Sequence, residues 1–91
     1  MLLTKELTFG DLSLVILDFE YKNDELPIHV HRSNDSHITI CVKGSVKVIT
    51  DEWTKVLHPG NIIEFFKMQA HSITALEDAS RVINIPKHNQ I

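Results

Sequence analysis

The run LVILDFEYK, residues 14 to 22, alternates in its second half. Leu17, Phe19 and Tyr21 are apolar, whereas Asp18, Glu20 and Lys22 are polar. Successive side chains of a strand point to opposite faces, so a period of two marks a strand with one face buried. The same reading extends outward along the chain. SVKVIT (45–50) and WTKVL (53–57) are short β-branched runs separated by Asp51 and Glu52, which is a hairpin pattern. HPG (58–60) is a turn signal, because proline removes a ladder donor and glycine accepts positive φ. NIIEFF, HSITAL and RVINI follow, and residues 2–9 together with the segments flanking RSNDS (32–36) bring the total to eight or nine short strands. No stretch is long enough to argue for a helix. The expected class is all-β, a sandwich or barrel.

Composition narrows the setting. Ninety-one residues can fill one core, so residues 1–91 are expected to form a single domain. The chain is 43% hydrophobic and 23% charged, as in soluble globular proteins. Its net charge is −3 and lysines and arginines do not cluster, which argues against a nucleic-acid partner. A lone cysteine, Cys41, excludes an internal disulfide and fits a reducing compartment. No apolar run approaches the length that spans a bilayer, and the first ten residues lack the pattern of a secretory leader. A cytoplasmic protein without a membrane partner is expected.

Three of the six histidines fall within HVHRSNDSH, residues 29–37. On a strand His29 and His31 share a face about 7 Å apart, and such a pair can converge on one ion. RSNDS is rich in turn formers, so a chain reversal there would bring His37 beside His31. Taken alone, H-x-H fits solvated histidines around a loop equally well. The spacing to later residues adds to the argument. His37 is followed after six residues by Gly44, and Gly60 precedes His71 by ten residues within HSITA.

These spacings resemble the two motifs of the cupin superfamily, a small jelly-roll β-barrel whose motifs supply metal ligands. The family's first motif runs Gly, five residues, His-x-His, three or four residues, Glu, six residues, Gly. Here His29 and His31 form the pair, His37 stands at the glutamate position and Gly44 closes the motif, which spans about 23–44. In the second, about 60–75, Gly60 and His71 match, and VLHPGN resembles the family's Leu-x-Pro-Gly-Asp turn. The chain departs from the pattern at Asn23, Phe66, Met68 and Ala75, where the family has Gly, Pro, Gly and Asn, and in a longer loop after His31.

The resemblance implies a cupin-type β-barrel or jelly-roll sandwich with a divalent transition metal held by His29, His31, His37 and His71. Imidazoles suit Zn, Cu, Fe and Ni, and the family adds Mn. Strand parity places Thr39 and Cys41 beside His37, and Ile73 and Ala75 beside His71, as candidate pocket walls. Three functions follow: a metal-dependent enzyme of dioxygenase or isomerase type acting on a small molecule, a non-catalytic ligand-binding or sensor module, or a structural metal site. Ile38, Ile40 and Val42, opposite in parity to His37, are apolar too, so the strand needs cover on both sides and a homodimer is expected.

Overall fold

The computed structural model describes residues 1–29, 37–65 and 69–86, with the backbone alone at positions 28 and 29. Nine strands and, among the described residues, no helix make up the chain: β1 (Leu2–Phe9), β2 (Leu12–Phe19), β3 (Glu25–His29), β4 (His37–Lys43), β5 (Val46–Thr50), β6 (Thr54–Leu57), β7 (Ile62–Phe65), β8 (His71–Ala75) and β9 (Ser80–Pro86). They form two sheets, a five-stranded one ordered β1-β2-β9-β4-β7 and a four-stranded one ordered β3-β8-β5-β6. Every strand pairing among the described residues is antiparallel. The sheets enclose one apolar core to which Leu17, Phe19, Val82 and Phe65 contribute from the first sheet and Val46, Val48 and Ile73 from the second. This is an all-β sandwich, as the alternation implied, of the jelly-roll kind that the resemblance implied. No helix of the described residues is long and apolar enough to cross a membrane.

Local chemistry sets the turns. His58 to Asn61 closes a tight turn in which the Asn61 N–H donates to the His58 carbonyl at 2.9 Å. Pro59 and Gly60 occupy its centre, with Gly60 at φ 94°, as a type II turn requires. The turn is tied to β4 by Gly60 N–H to the Cys41 carbonyl, 2.8 Å, and Cys41 N–H to the Asn61 carbonyl, 3.1 Å. β5 and β6 pair as the hairpin pattern indicated, the link being residues 51–53 with Trp53 added to Asp51 and Glu52, and the Thr50 hydroxyl accepts from the Glu52 and Trp53 N–H groups at 3.1 and 2.9 Å.

One expectation from alternation fails at Tyr21, which is 61% exposed instead of buried. The strand ends at Phe19, and the chain turns where the Asp24 carboxylate accepts from the Tyr21 N–H at 2.9 Å. Asn23 within that turn takes φ 75°, a conformation open to asparagine because its short polar side chain tolerates the left-handed region.

Gly44 is the position at which the fold admits no side chain. Its φ is 68°, and a Cβ would overlap Ser80, whose Cα would lie 2.9 Å away. Ser80 cannot withdraw, because its hydroxyl accepts from Ser45 N–H at 3.2 Å and lies 2.9 Å from the Glu77 carbonyl. Replacement Gly44→Ala is expected to cost about 3 kcal/mol, the sum of left-handed strain and overpacking. Gly10→Ala, at φ 61° with open space around it, should cost only about 1 kcal/mol. Urea denaturation of the two variants checks the difference.

Candidate functional site

His37 and His71 each open a strand, and they come from opposite sheets. His37 begins β4, with Phe65 and Pro86 as ladder partners. His71 begins β8, with His29 of β3 on one side and Thr50 of β5 on the other. Both imidazoles are buried, at 7% and 2% exposure, and their ring centres lie 5.4 Å apart. Phe65 fills the space beside them. It stacks on His71 at 3.9 Å with 16° between planes and lies 5.0 Å from His37. Trp53 continues the row, stacked on Phe65 at 6.0 Å, and the Lys55 ammonium stands 4.9 Å over the Trp53 ring.

A hydrogen bond fixes the chemistry of His71. Its Nδ1 is 2.9 Å from the Gln69 carbonyl oxygen. A carbonyl only accepts, so Nδ1 carries the proton, and in the neutral ring Nε2 keeps the lone pair. A backbone carbonyl holding one ring nitrogen while the other is left as a donor is the arrangement found behind metal-bound imidazoles. The spacing agrees. Two imidazoles whose nitrogens sit about 2.0–2.1 Å from one ion have ring centres roughly 4.5–5.5 Å apart for angles of about 90–120° at the ion. The observed 5.4 Å is at the edge of that range.

The other candidate ligands are described in part. His29 is the backbone ladder partner of His71, and its side chain lies outside the described residues. His31 also lies outside them, as do Arg32 and His88. Among the described residues no group of three or more His, Cys, Asp or Glu side chains could hold a metal ion. His58, in the turn, is exposed.

Thr39, Cys41, Ile73 and Ala75 all show no exposure. Cys41, Ile73 and Ala75 belong to the apolar core, and the Thr39 hydroxyl donates to the Asn84 side-chain oxygen at 2.6 Å. Burial pushes the Cys41 thiol above its ordinary range, opposed by a hydrogen bond with the Lys43 backbone and assisted by the Glu77 charge. Two contributors escaped the sequence reading. The Gln69 carbonyl is a backbone group that no side-chain pattern reports, and Phe65 read as core, which it is, without its contact to both histidines being visible.

No protein-family model matches the sequence, and no curated protein matches it either. Solved structures do. KdgF from a Halomonas species superposes with a TM-score of 0.82 at 24% identity, covering 93% of this chain and 78% of its own. An RmlC-like cupin from Desulfovibrio desulfuricans gives 0.79 at 16%, covering 93% and 81%. A cupin superfamily protein from Desulfitobacterium hafniense gives 0.81 at 13%, covering 94% and 76%. The chain has the cupin fold. Asn23, at the position where the resemblance puts the first motif's glycine, keeps the positive φ that a glycine would supply.

The Cys41 thiol of this cupin fold is expected to resist alkylation in the native state. Raised pKa lowers the thiolate fraction, and burial denies access. Maleimide labelling at neutral pH should proceed only as fast as the chain unfolds, and rapid stoichiometric labelling of the folded protein would contradict the assignment.

Proposed function

We propose that this cupin-fold chain binds one divalent transition metal through His29, His31, His37 and His71 and acts there on a small organic molecule. The observation that carries the reading is the Gln69 carbonyl at His71 Nδ1, which leaves Nε2 as a lone-pair donor in a ring 5.4 Å from His37. A bound divalent ion supplies Lewis acidity. The chain's own residues would do the rest. His37 and His71, buried and neutral, would hold the ion without cancelling its charge, which favours ligands carrying enolate or carboxylate oxygens. Phe65 would fix both rings by packing and keep water from that side. The motif segments lack the cluster of lysines and arginines that phosphorylated sugars call for. Turnover would be of the isomerase or dioxygenase type, in a reducing compartment that suits a free cysteine.

A second reading has an observation of its own. His37 and His71 stand on different sheets and are almost wholly buried, so an ion shared by them would staple the sandwich. The two readings divide on whether the ion keeps an exchangeable water.

Metal analysis of tag-free protein is expected to find about one transition-metal ion per chain. His71→Ala and His37→Ala should each abolish stoichiometric binding. Metal at about 100 times Kd should stabilise the wild type by about 2.7 kcal/mol, read as a higher Tm. It should leave His71→Ala unmoved. A metal-free protein that takes up none on reconstitution would refute both readings, and full occupancy in His37→Ala would remove that residue from the ligand set. Water-proton relaxation of a paramagnetic-loaded sample then separates the enzyme from the staple.

A further inference from the structure

The inner face of the five-stranded sheet changes character along its strands. One row across the ladder holds Leu17 of β2, Val82 of β9 and Cys41 of β4, all in the apolar core. The next row toward His37 holds Val15, Asn84 and Thr39 on the same three strands. The exposed edge strand β1 adds Thr4 to the first row and Glu6 to the second. His37 stands one row further along β4. Replacing a polar pair such as Asn84 and Thr39 by apolar residues of similar shape would be nearly neutral for stability, so packing alone does not call for it.

One short hydrogen bond joins the pair. The Thr39 hydroxyl, which shows no exposure, donates to Asn84 Oδ1 at 2.6 Å. That leaves Asn84 with two N–H donors on Nδ2. Among the described residues none accepts from them, and Asn84 is half-buried. Ser80, a polar residue at the opposite end of the same face, differs. Its hydroxyl is within hydrogen-bond distance of the Ser45 N–H and of the Ser45 and Glu77 carbonyls. Asn84 and His37 are diagonal neighbours, since Thr39 pairs with Asn84 and His37 with Pro86. Such positions lie about 7–8 Å apart at Cα, a span that one small molecule covers.

We propose that Asn84 is a ligand-recognition residue of the histidine site, its Nδ2 donating to an anionic oxygen of the bound small molecule, with Thr39 as the positioning residue that fixes the amide. The inference rests on the reading above, in which His37 and His71 help to hold an ion that takes carboxylate or enolate oxygens. The direction of the amide sets the chemistry. With Oδ1 engaged by Thr39, Asn84 presents donors, which select an acceptor oxygen over an ammonium or guanidinium group. No lysine or arginine shares the row, so the neutral amide is its donor to an anion. Glu6 stands two strands away, about 10 Å at 4.8 Å per strand, and its charge disfavours an anion at the β1 edge. The favoured place is therefore between Asn84 and His37.

Titration of acetate into the Co²⁺-loaded, tag-free protein, followed by the visible spectrum of the ion, tests the inference. Acetate should bind the wild type, and Asn84→Leu should weaken it about tenfold with Co²⁺ stoichiometry unchanged. Asn84→Asp, which sets a like charge beside the anion, should weaken it further. Asn84→Leu strands the buried Thr39 hydroxyl. The double variant Thr39→Val with Asn84→Leu removes both partners and should show the same loss of about tenfold in a protein whose circular dichroism matches the wild type. Thr39→Val alone should weaken acetate about threefold by freeing the amide, and Thr39→Ser should restore it. A wild type that takes up no Co²⁺ overturns the metal reading and this inference with it. Co²⁺ uptake without acetate binding, or with equal acetate affinity in the wild type and the double variant, overturns this inference alone. A Thr39→Ser variant as weak as Thr39→Val overturns the positioning role.

Discussion

Burying an imidazole in the centre of a small sandwich costs free energy unless its polar nitrogens are satisfied. His71 meets that constraint in a specific way. The Gln69 carbonyl, two residues back on the same chain, holds Nδ1, and the ring face is covered by Phe65 from the other sheet at 3.9 Å. The stack therefore joins the sheets at the same place where it fixes the ring. His37 enters from the Phe65 side of the sandwich as the ladder partner of Phe65, which sets its distance from His71. Moving either sheet would separate the histidines and expose Phe65 together, so site geometry and core packing are one property of the molecule.

Much of this was legible in the residues themselves, for physical reasons. Stretches with strict alternation, such as residues 17–20, declare which side is core, and HPG declares a turn because only certain φ values suit its residues. The spacing of His37 and Gly44, and of Gly60 and His71, carried the resemblance, and the structure sets the His37 and His71 rings 5.4 Å apart. What could not be read follows equally from physics. Tyr21 alternates like Leu17 and Phe19, but a side-chain pattern does not show where a turn held by the Asp24 carboxylate ends a strand. In LSLVIL both parities are apolar, so periodicity cannot say which of Leu14 and Val15 faces the core; only the ladder register does. The Gln69 carbonyl leaves no trace in side-chain identity. The loop between His31 and His37, with the His29 and His31 side chains, lies outside the described residues.

A chain of this length has little interior to spend on two tasks. The inner faces of both sheets supply the apolar core and the histidines at once, which is why Thr39, Cys41, Ile73 and Ala75 are fully buried beside His37 and His71. The outer face of the larger sheet holds the apolar residues that the interior cannot accommodate. Inner and outer faces share strand β4, where His37 points in and Ile38 points out. In the metal-binding reading proposed above, ion binding would add stability to a fold with a small core.

The choice of imidazole at position 37 follows from the same surroundings. A side chain there sits 5.0 Å from the Phe65 ring, is 7% exposed and has an apolar core behind it. An ionised carboxylate in that place would lose its hydration and would depend on a bound cation to offset the cost, whereas a neutral ring is far cheaper to bury. Histidine offers a nitrogen donor without a formal charge and adds the packing surface of an aromatic ring against Phe65. The consequence reaches the chemistry. A site built from neutral donors in an apolar wall leaves any cation it holds uncompensated, so the charge must be met by the molecule that binds next to it. In the metal-binding reading proposed above, a bias toward anionic oxygen ligands would come from the packing around His37 rather than from a basic residue, whichever metal occupied the site.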